Sequence, residues 1–121
     1  MRRDELYLID IVEAADAIAA FLQEKDERRF AGDDLLRSAV LLKLIIIGEA
    51  AARLSSDLKS RHPEIEWADV IGFRNIAVHA YFGIQWPIVW VTARDDIPGL
   101  RAQVLRIIQE NFPETFQRMD H

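Results

Sequence analysis

The chain has 121 residues, half of them hydrophobic, with five glycines, four prolines and no cysteine. That length suits one domain with a core, and the lack of cysteine excludes disulfides, thiolate metal sites and a cysteine nucleophile. The formal net charge of −5 argues against a broad electrostatic footprint for nucleic acid, although it allows a small site with a few cations. No apolar stretch fits a signal peptide or a membrane span, so we expect a soluble, cytoplasmic protein with no membrane partner.

The first predicted helix runs from Asp4, as its N-cap, to about Glu24. The charged stretch that follows, from Glu24 to Arg29, is interpreted as a solvated helix end and loop rather than a binding patch. One apolar stripe follows the helix in steps of three and four, at Leu8, Ile11, Ala15, Ile18 and Leu22.

The second predicted helix begins after Gly32 and Asp33, which supply a break and an N-cap. From Ala39 to Leu54 it is apolar nearly all round, which indicates a central helix buried by neighbours on several sides. Gly48 would let a neighbouring helix approach closely. Glu49 is the exception in this run, and it lies either at an exposed seam or against a cation such as Arg74.

The next segment, from Ser55 to Pro63, is polar and is interpreted as a helix end and connector. His62 lies in it and is interpreted as a surface histidine rather than a catalytic one. A third helix is predicted from Trp67 to about Ala80, with its exit at Gly83.

A fourth helix is predicted from Pro87 to about Arg94. The residues up to Pro98 fit either a fresh helix start or a proline kink in one longer helix. The last apolar stripe stops before Pro113, so we predict one helical domain over residues 1–112 and a frayed, flexible tail over residues 113–121.

The expected architecture is all-α, because no alternating strand pattern and no internal repeat occurs. Four or five helices joined by short loops favour an antiparallel bundle. The tryptophans fit core and loop anchors, with an oligomer interface as the alternative; they are Trp67, Trp86 and Trp90.

The densest chemistry lies in Asp69–Gly83, where Arg74, Asn75, His79 and Tyr81 fall within eight residues. A histidine can take a proton from a ribose 2′-hydroxyl or give one to a leaving oxygen. An arginine can stabilise charge on phosphoryl oxygens, and the asparagine can hold the phosphate or fix the arginine. This set suits phosphodiester cleavage without metal, since one histidine with no ligand four residues on does not make a metal site.

Two other observations bear on this segment. One copy lacks the usual pair of acid and base, and a homodimer that faces two copies across a twofold axis would supply it. On spacing alone, an arginine, a histidine and a tyrosine on an apolar helix also fit a satisfied polar network without catalytic function.

The sequence resembles the HepT-like toxins, a branch of the HEPN domain family. Arg74 to Tyr81 reads R-N-I-A-V-H-A-Y and fits the family's R-x4-H-x-Y motif. The flanks fit too, and the likeness runs from the first helix to Ile108. These flanks are I-I-I-G-E-A-A at 45–51, H-P-E-I-E-W at 62–67, I-G-F-R-N at 71–75 and Y-F-G-I-Q-W-P-I-V-W at 81–90.

The resemblance implies a metal-independent endoribonuclease without a cofactor, the toxin of a two-gene toxin–antitoxin system of type II or VII. Such proteins are all-α homodimers with a composite site at the dimer cleft, and the substrate is an RNA such as tRNA or mRNA. Arg74 and His79 would be the catalytic pair, and Asn75 is the polar residue that commonly follows the arginine. Glu49 is counted as a second auxiliary polar residue on the separate ground of its pairing with Arg74. Tyr81 matches the tyrosine that the cognate minimal nucleotidyltransferase antitoxin modifies with AMP, which would block RNA entry by charge and bulk.

Two alternatives stay open at the level of sequence. One is a non-catalytic helical module that binds the nucleotidyltransferase. The other is a purely structural helical dimer.

Overall fold

The fold is taken from a computed structural model that describes residues 2–76 and 83–119. All regular structure in these ranges is helical, which confirms the all-α prediction. The α-helices are α1 Asp4–Leu22, α2 Glu27–Ala31, α3 Asp34–Arg53, α4 Ser56–Arg61, α5 Trp67–Gly72, α6 Trp86–Val91, α7 Ile97–Asn111 and α8 Pro113–Arg118. A 3-10 turn, Phe73–Asn75, continues α5, and a π-helical turn, Thr92–Asp96, joins α6 to α7.

Helix α1 packs along α3 and α7, and its predicted apolar stripe supplies much of the core. Leu8, Ile11, Ala15 and Ile18 are buried and Leu22 is partly buried against the same core, which confirms the spacing argument. The predicted N-cap is wrong, because Arg3 occupies that position. The carboxylate of Asp4 instead accepts hydrogen bonds from the backbone N–H and the hydroxyl of Ser55, which caps α4.

The segment between α1 and α3 is more ordered than the predicted loop. The side chain of Asp26 caps α2 by accepting a hydrogen bond from the N–H of Arg29 at 2.8 Å. Phe30 on α2 is buried, with its ring centroid 5.4 Å from that of Trp90. Asp33 caps α3 as predicted, through the N–H of Leu36.

Helix α3 is the central helix, in contact with α1, α2, α5 and the 3-10 turn. Its burial is less complete than predicted for Ala39 to Leu54, because Leu42 is exposed; Leu35, in the first turn before that range, is exposed too. The polar connector that follows contains a helix, α4, whose N-cap Ser55 accepts a hydrogen bond from the N–H of Leu58.

The third predicted helix begins at Trp67 as expected. Helix α5 ends at Gly72 and tightens into the 3-10 turn, and the predicted continuation over residues 77–80 lies outside the described residues. From Trp86 to Asn111 the chain stays helical, so the proline kink is the alternative that holds. Pro98 has no N–H to bond the carbonyl of Arg94, and the helical ladder widens into the π turn just before it.

The chain after α7 forms α8 rather than a frayed tail. The first residue of α8 is Pro113, a position where the missing N–H of proline costs nothing. Thr115 is buried, and its hydroxyl donates a 2.7 Å hydrogen bond to the carboxylate of Glu5 on α1. Within the described ranges, no helix combines the length and apolar character that a bilayer crossing requires.

Candidate active site

The candidate site is built where the 3-10 turn crosses α3. A β-carbon added to Gly48 would lie 2.6 Å from the backbone nitrogen of Arg74, and 3.1 Å from the carbonyl oxygens of Val70 and Ile71. Real β-carbons do not come that close to backbone atoms, so only glycine permits this crossing. The predicted close approach at Gly48 is confirmed, and the closest backbone atom belongs to the arginine of the motif.

The next residue of α3, Glu49, faces the side chain of that arginine. Its Oε1 lies 4.0 Å from Nη1 of Arg74, and 46% of its side chain is exposed, so both predicted alternatives, an exposed seam and a pairing with Arg74, are present together. Its Oε2 lies 3.8 Å from Nε of Arg53, one helical turn further along α3. One carboxylate therefore stands between two guanidinium groups, and the three groups together carry a charge of +1.

Both arginines reach solvent, since 41% of the Arg74 side chain and 64% of the Arg53 side chain are exposed. Exposed ion pairs of this kind stabilise a fold by only about 0–1 kcal/mol. The cluster is therefore a weak contributor to folding and an accessible group of donors. Two guanidinium groups beside each other are suited to binding anionic oxygen, above all the oxygens of phosphate groups.

Of the other predicted site residues, the structure describes Asn75 but not His79 or Tyr81. Asn75 is exposed at the end of the 3-10 turn, next to Arg74. His79 and Tyr81 lie outside the described residues, so their roles stay predictions. Glu49 and Arg74 are the two predicted site residues that the structure brings together across separate helices.

His62 is not the surface histidine that the sequence indicates. Only 12% of its side chain is exposed, and its Nδ1 lies 3.2 Å from a carboxylate oxygen of Glu64. Its Nε2 lies 3.3 Å from the side-chain nitrogen of Asn111, at the end of α7. The contact with Asn111 ties the connector between α4 and α5 to α7, and a 3.0 Å hydrogen bond from Trp67 Nε1 to the His62 carbonyl ties it to α5. The arrangement is structural.

Sequence reasoning missed Arg53. Its signal was present, because Glu49 and Arg53 are four residues apart and such positions are neighbours on a helix surface. Arg53 was overlooked because it follows a long apolar run, and an arginine in the last turn is common at the end of any helix.

The site so far is an all-α domain with accessible arginines grouped around one carboxylate, and such arginines can bind phosphate-bearing ligands. Comparison with known proteins gives the family. Residues 11–107 match the family described as Ribonuclease HepT-like, and this range includes Glu49, Arg53 and Arg74. The chain belongs to the HepT-like ribonuclease family.

Individual relatives agree with the family assignment. The chain is 39% identical over 97 residues to the "Probable ribonuclease HepT" of Thermococcus cleftensis, covering 80% of this chain and 88% of that one. It is 34% identical over 104 residues to the "Putative RNase MJ1380" of Methanocaldococcus jannaschii, covering 85% and 95%. No solved structure matches the chain at a significant level.

Proposed function

We propose that this protein is a metal-independent endoribonuclease and the toxin of a two-gene toxin–antitoxin system. Arg74 and His79 carry the reaction, and AMP added to Tyr81 inhibits it. The observation that carries the proposal is the accessible guanidinium of Arg74, whose backbone packs against α3 at Gly48, in a chain of the HepT-like ribonuclease family.

The proposed chemistry uses the ribose as the nucleophile. His79 of one copy takes the proton of the 2′-hydroxyl while the 2′-oxygen attacks phosphorus. The 5′-oxygen leaves with a proton from His79 of the second copy, which gives a 2′,3′-cyclic phosphate and a free 5′-hydroxyl. Arg74 donates hydrogen bonds to the non-bridging oxygens, where negative charge grows in the transition state.

A second copy is the proposed cover for the exposed face of α3. Leu35, Leu42, Ile45 and Glu49 follow one another in steps of seven, three and four, so they share one stripe of the helix. A groove of about 500 Å³ is lined by two residues of this stripe, Leu42 and Ile45, with Trp86 in its wall. Because the stripe ends at Glu49, a partner seated on it would place the arginine cluster at the edge of the interface.

The test of the activity is incubation of purified protein with total RNA, followed by mapping of the cut ends. Cleavage that persists in EDTA and leaves 5′-hydroxyl ends supports the proposal. Arg74→Gln and His79→Ala should each lower the rate by about 100-fold or more. Arg106→Gln, at an exposed arginine on α7, is the control and should cleave like the wild type. Wild-type cleavage by either site variant would refute the assignment.

The test of the control mechanism uses the product of the adjacent reading frame, if that frame encodes a minimal nucleotidyltransferase. Incubation with ATP should add AMP to the wild type and stop RNA cleavage, because the added phosphate brings charge and bulk. Tyr81→Phe should still cleave RNA and should no longer be inhibited. A stable complex with the partner, together with no cleavage of any RNA by the free protein, would favour the non-catalytic binding module instead.

A further inference from the structure

Arg53 is the most exposed member of the arginine cluster and has no assigned role in the proposed reaction. It lies in the last turn of α3, one turn after Glu49, and 64% of its side chain is open to solvent. Its Nε lies 3.8 Å from Glu49 Oε2, on the carboxylate oxygen that does not face Arg74. Arg53 and Arg74 thus approach the same carboxylate from two sides.

The distances in this cluster leave both arginines available to a ligand. At 3.8 and 4.0 Å, neither contact is short enough for a hydrogen bond, which requires about 2.7–3.2 Å. Glu49 therefore holds the two guanidinium groups near each other by charge without occupying their N–H donors. Each arginine carries five such donors in a flat fork that matches the oxygens of a phosphate.

The backbones of the two arginines belong to helical elements that pack against each other. Arg53 is part of α3 itself, while the backbone of Arg74 is seated on α3 by the crossing at Gly48. Two cations on packed backbone elements can bind neighbouring phosphates of one strand with little reorganisation. This local charge of +1 is consistent with a small cationic site on a chain whose net charge is −5.

We infer that Arg53 is a second phosphate-binding residue of the RNA site, which binds a phosphate next to the one being cleaved. The inference rests on the proposed ribonuclease function and deepens it. Arg53 contributes to the binding of the strand, whereas Arg74 acts on the scissile phosphate. Removal of the Arg53 guanidinium should therefore raise KM and leave kcat nearly unchanged.

The experiment compares Arg53→Gln with Arg106→Gln, a matched change at another exposed helical arginine. Steady-state cleavage of a single-stranded RNA gives KM and kcat, and binding is measured at several salt concentrations with His79→Ala as the background. We expect Arg53→Gln to raise KM by about five- to tenfold, with kcat within about twofold. The slope of log affinity against log salt should fall by about 0.7, the value for one phosphate contact on a single strand.

A second variant, Arg53→Lys, keeps the charge and should keep the salt slope while binding more weakly than the wild type, because lysine lacks the flat fork. Unfolding in urea checks that all variants have the stability of the wild type. If wild-type protein cleaves RNA and Arg53→Gln matches Arg106→Gln in KM and salt slope, the inference is overturned. A fall in kcat with KM unchanged would overturn it too. A wild type that cleaves no RNA would refute the proposed function itself.

Discussion

The α-carbon of Gly48 faces the backbone nitrogen of Arg74 so closely that a β-carbon on the glycine would lie 2.6 Å from that nitrogen. Because the obstacle is backbone and not a flexible side chain, Gly48→Ala must push the 3-10 turn away from α3. We expect the free energy of unfolding to fall by about 1–3 kcal/mol, as for other overpacked sites. Urea unfolding measures this loss, and RNA cleavage should fall with it because Arg74 is displaced.

The control for this prediction is Gly99→Ala, in the first turn of α7. A β-carbon there would meet no atom within 4 Å, and the backbone is helical. Alanine should therefore leave stability unchanged or raise it by up to about 1 kcal/mol, through its better helix propensity. If Gly48→Ala unfolded at the same urea concentration as the wild type, the close crossing would be wrong.

The parts of the fold that the sequence predicts well are those decided by local spacing. The stripe of α1 is fixed by a 3.6-residue period, and the cap at Asp33 by a hydrogen bond to a residue three positions on. The crossing at Gly48 was also predictable, since a glycine among alanines in an apolar helix permits close approach. Each of these signals depends on residues close together in the chain.

The parts that the sequence does not predict depend on contacts between distant residues. Asp4 fits an N-cap locally, but its carboxylate is bound by Ser55, 51 residues away. Leu42 reads as core because it is apolar, and composition cannot separate a face buried in the monomer from one left for a partner. The carboxylate of Glu49 has two arginine neighbours, and only Arg74 was identified, because Arg53 lies in an unremarkable helix end.

The docking of α8 predicts a measurable effect of Thr115→Val. The change keeps the shape of the side chain and removes the hydroxyl that donates to Glu5 at 2.7 Å. Hydrogen bonds to charged groups contribute about 1.5–3 kcal/mol, and Arg3 still approaches the same carboxylate, so we expect a loss of about 1 kcal/mol. Thr115→Ser is the control and should stay closer to the wild type. Equal urea midpoints for the wild type and the valine variant would show that the hydrogen bond between Thr115 and Glu5 does not stabilise the fold.

The exposed stripe of α3 predicts that Leu42→Glu weakens the proposed dimer. Leu42 is 55% exposed in the single chain, and a charge in the centre of an interface costs about 2 kcal/mol or more, a roughly thirtyfold weaker dimer. Sedimentation over a range of concentrations measures the dissociation constant. If the site needs both copies, RNA cleavage by the variant should recover as its concentration is raised.

The control for the interface is Ile88→Glu. Ile88 is exposed to a similar degree on α6, about 200° round the helix from Trp86, which lines the groove. It should sediment and cleave RNA like the wild type. If Leu42→Glu had the same mass in sedimentation and the same rate of RNA cleavage as the wild type, the exposed stripe of α3 would not be a dimer interface.

The shared carboxylate predicts opposite effects of Glu49→Gln on binding and on turnover. Removing the negative charge raises the net charge of the cluster from +1 to +2, so RNA should bind more tightly and KM should fall. The amide attracts Arg74 less than the carboxylate does, so the guanidinium is less often aimed at the phosphate and kcat should fall as well. Stability should change by less than about 1 kcal/mol, because the pair is half-exposed.

The control for this prediction is Asp57→Asn, which breaks a comparable ion pair with Arg61 on α4 and should alter neither KM nor kcat. A Glu49→Gln variant with unchanged KM and kcat would show that the carboxylate does not act on either arginine during cleavage.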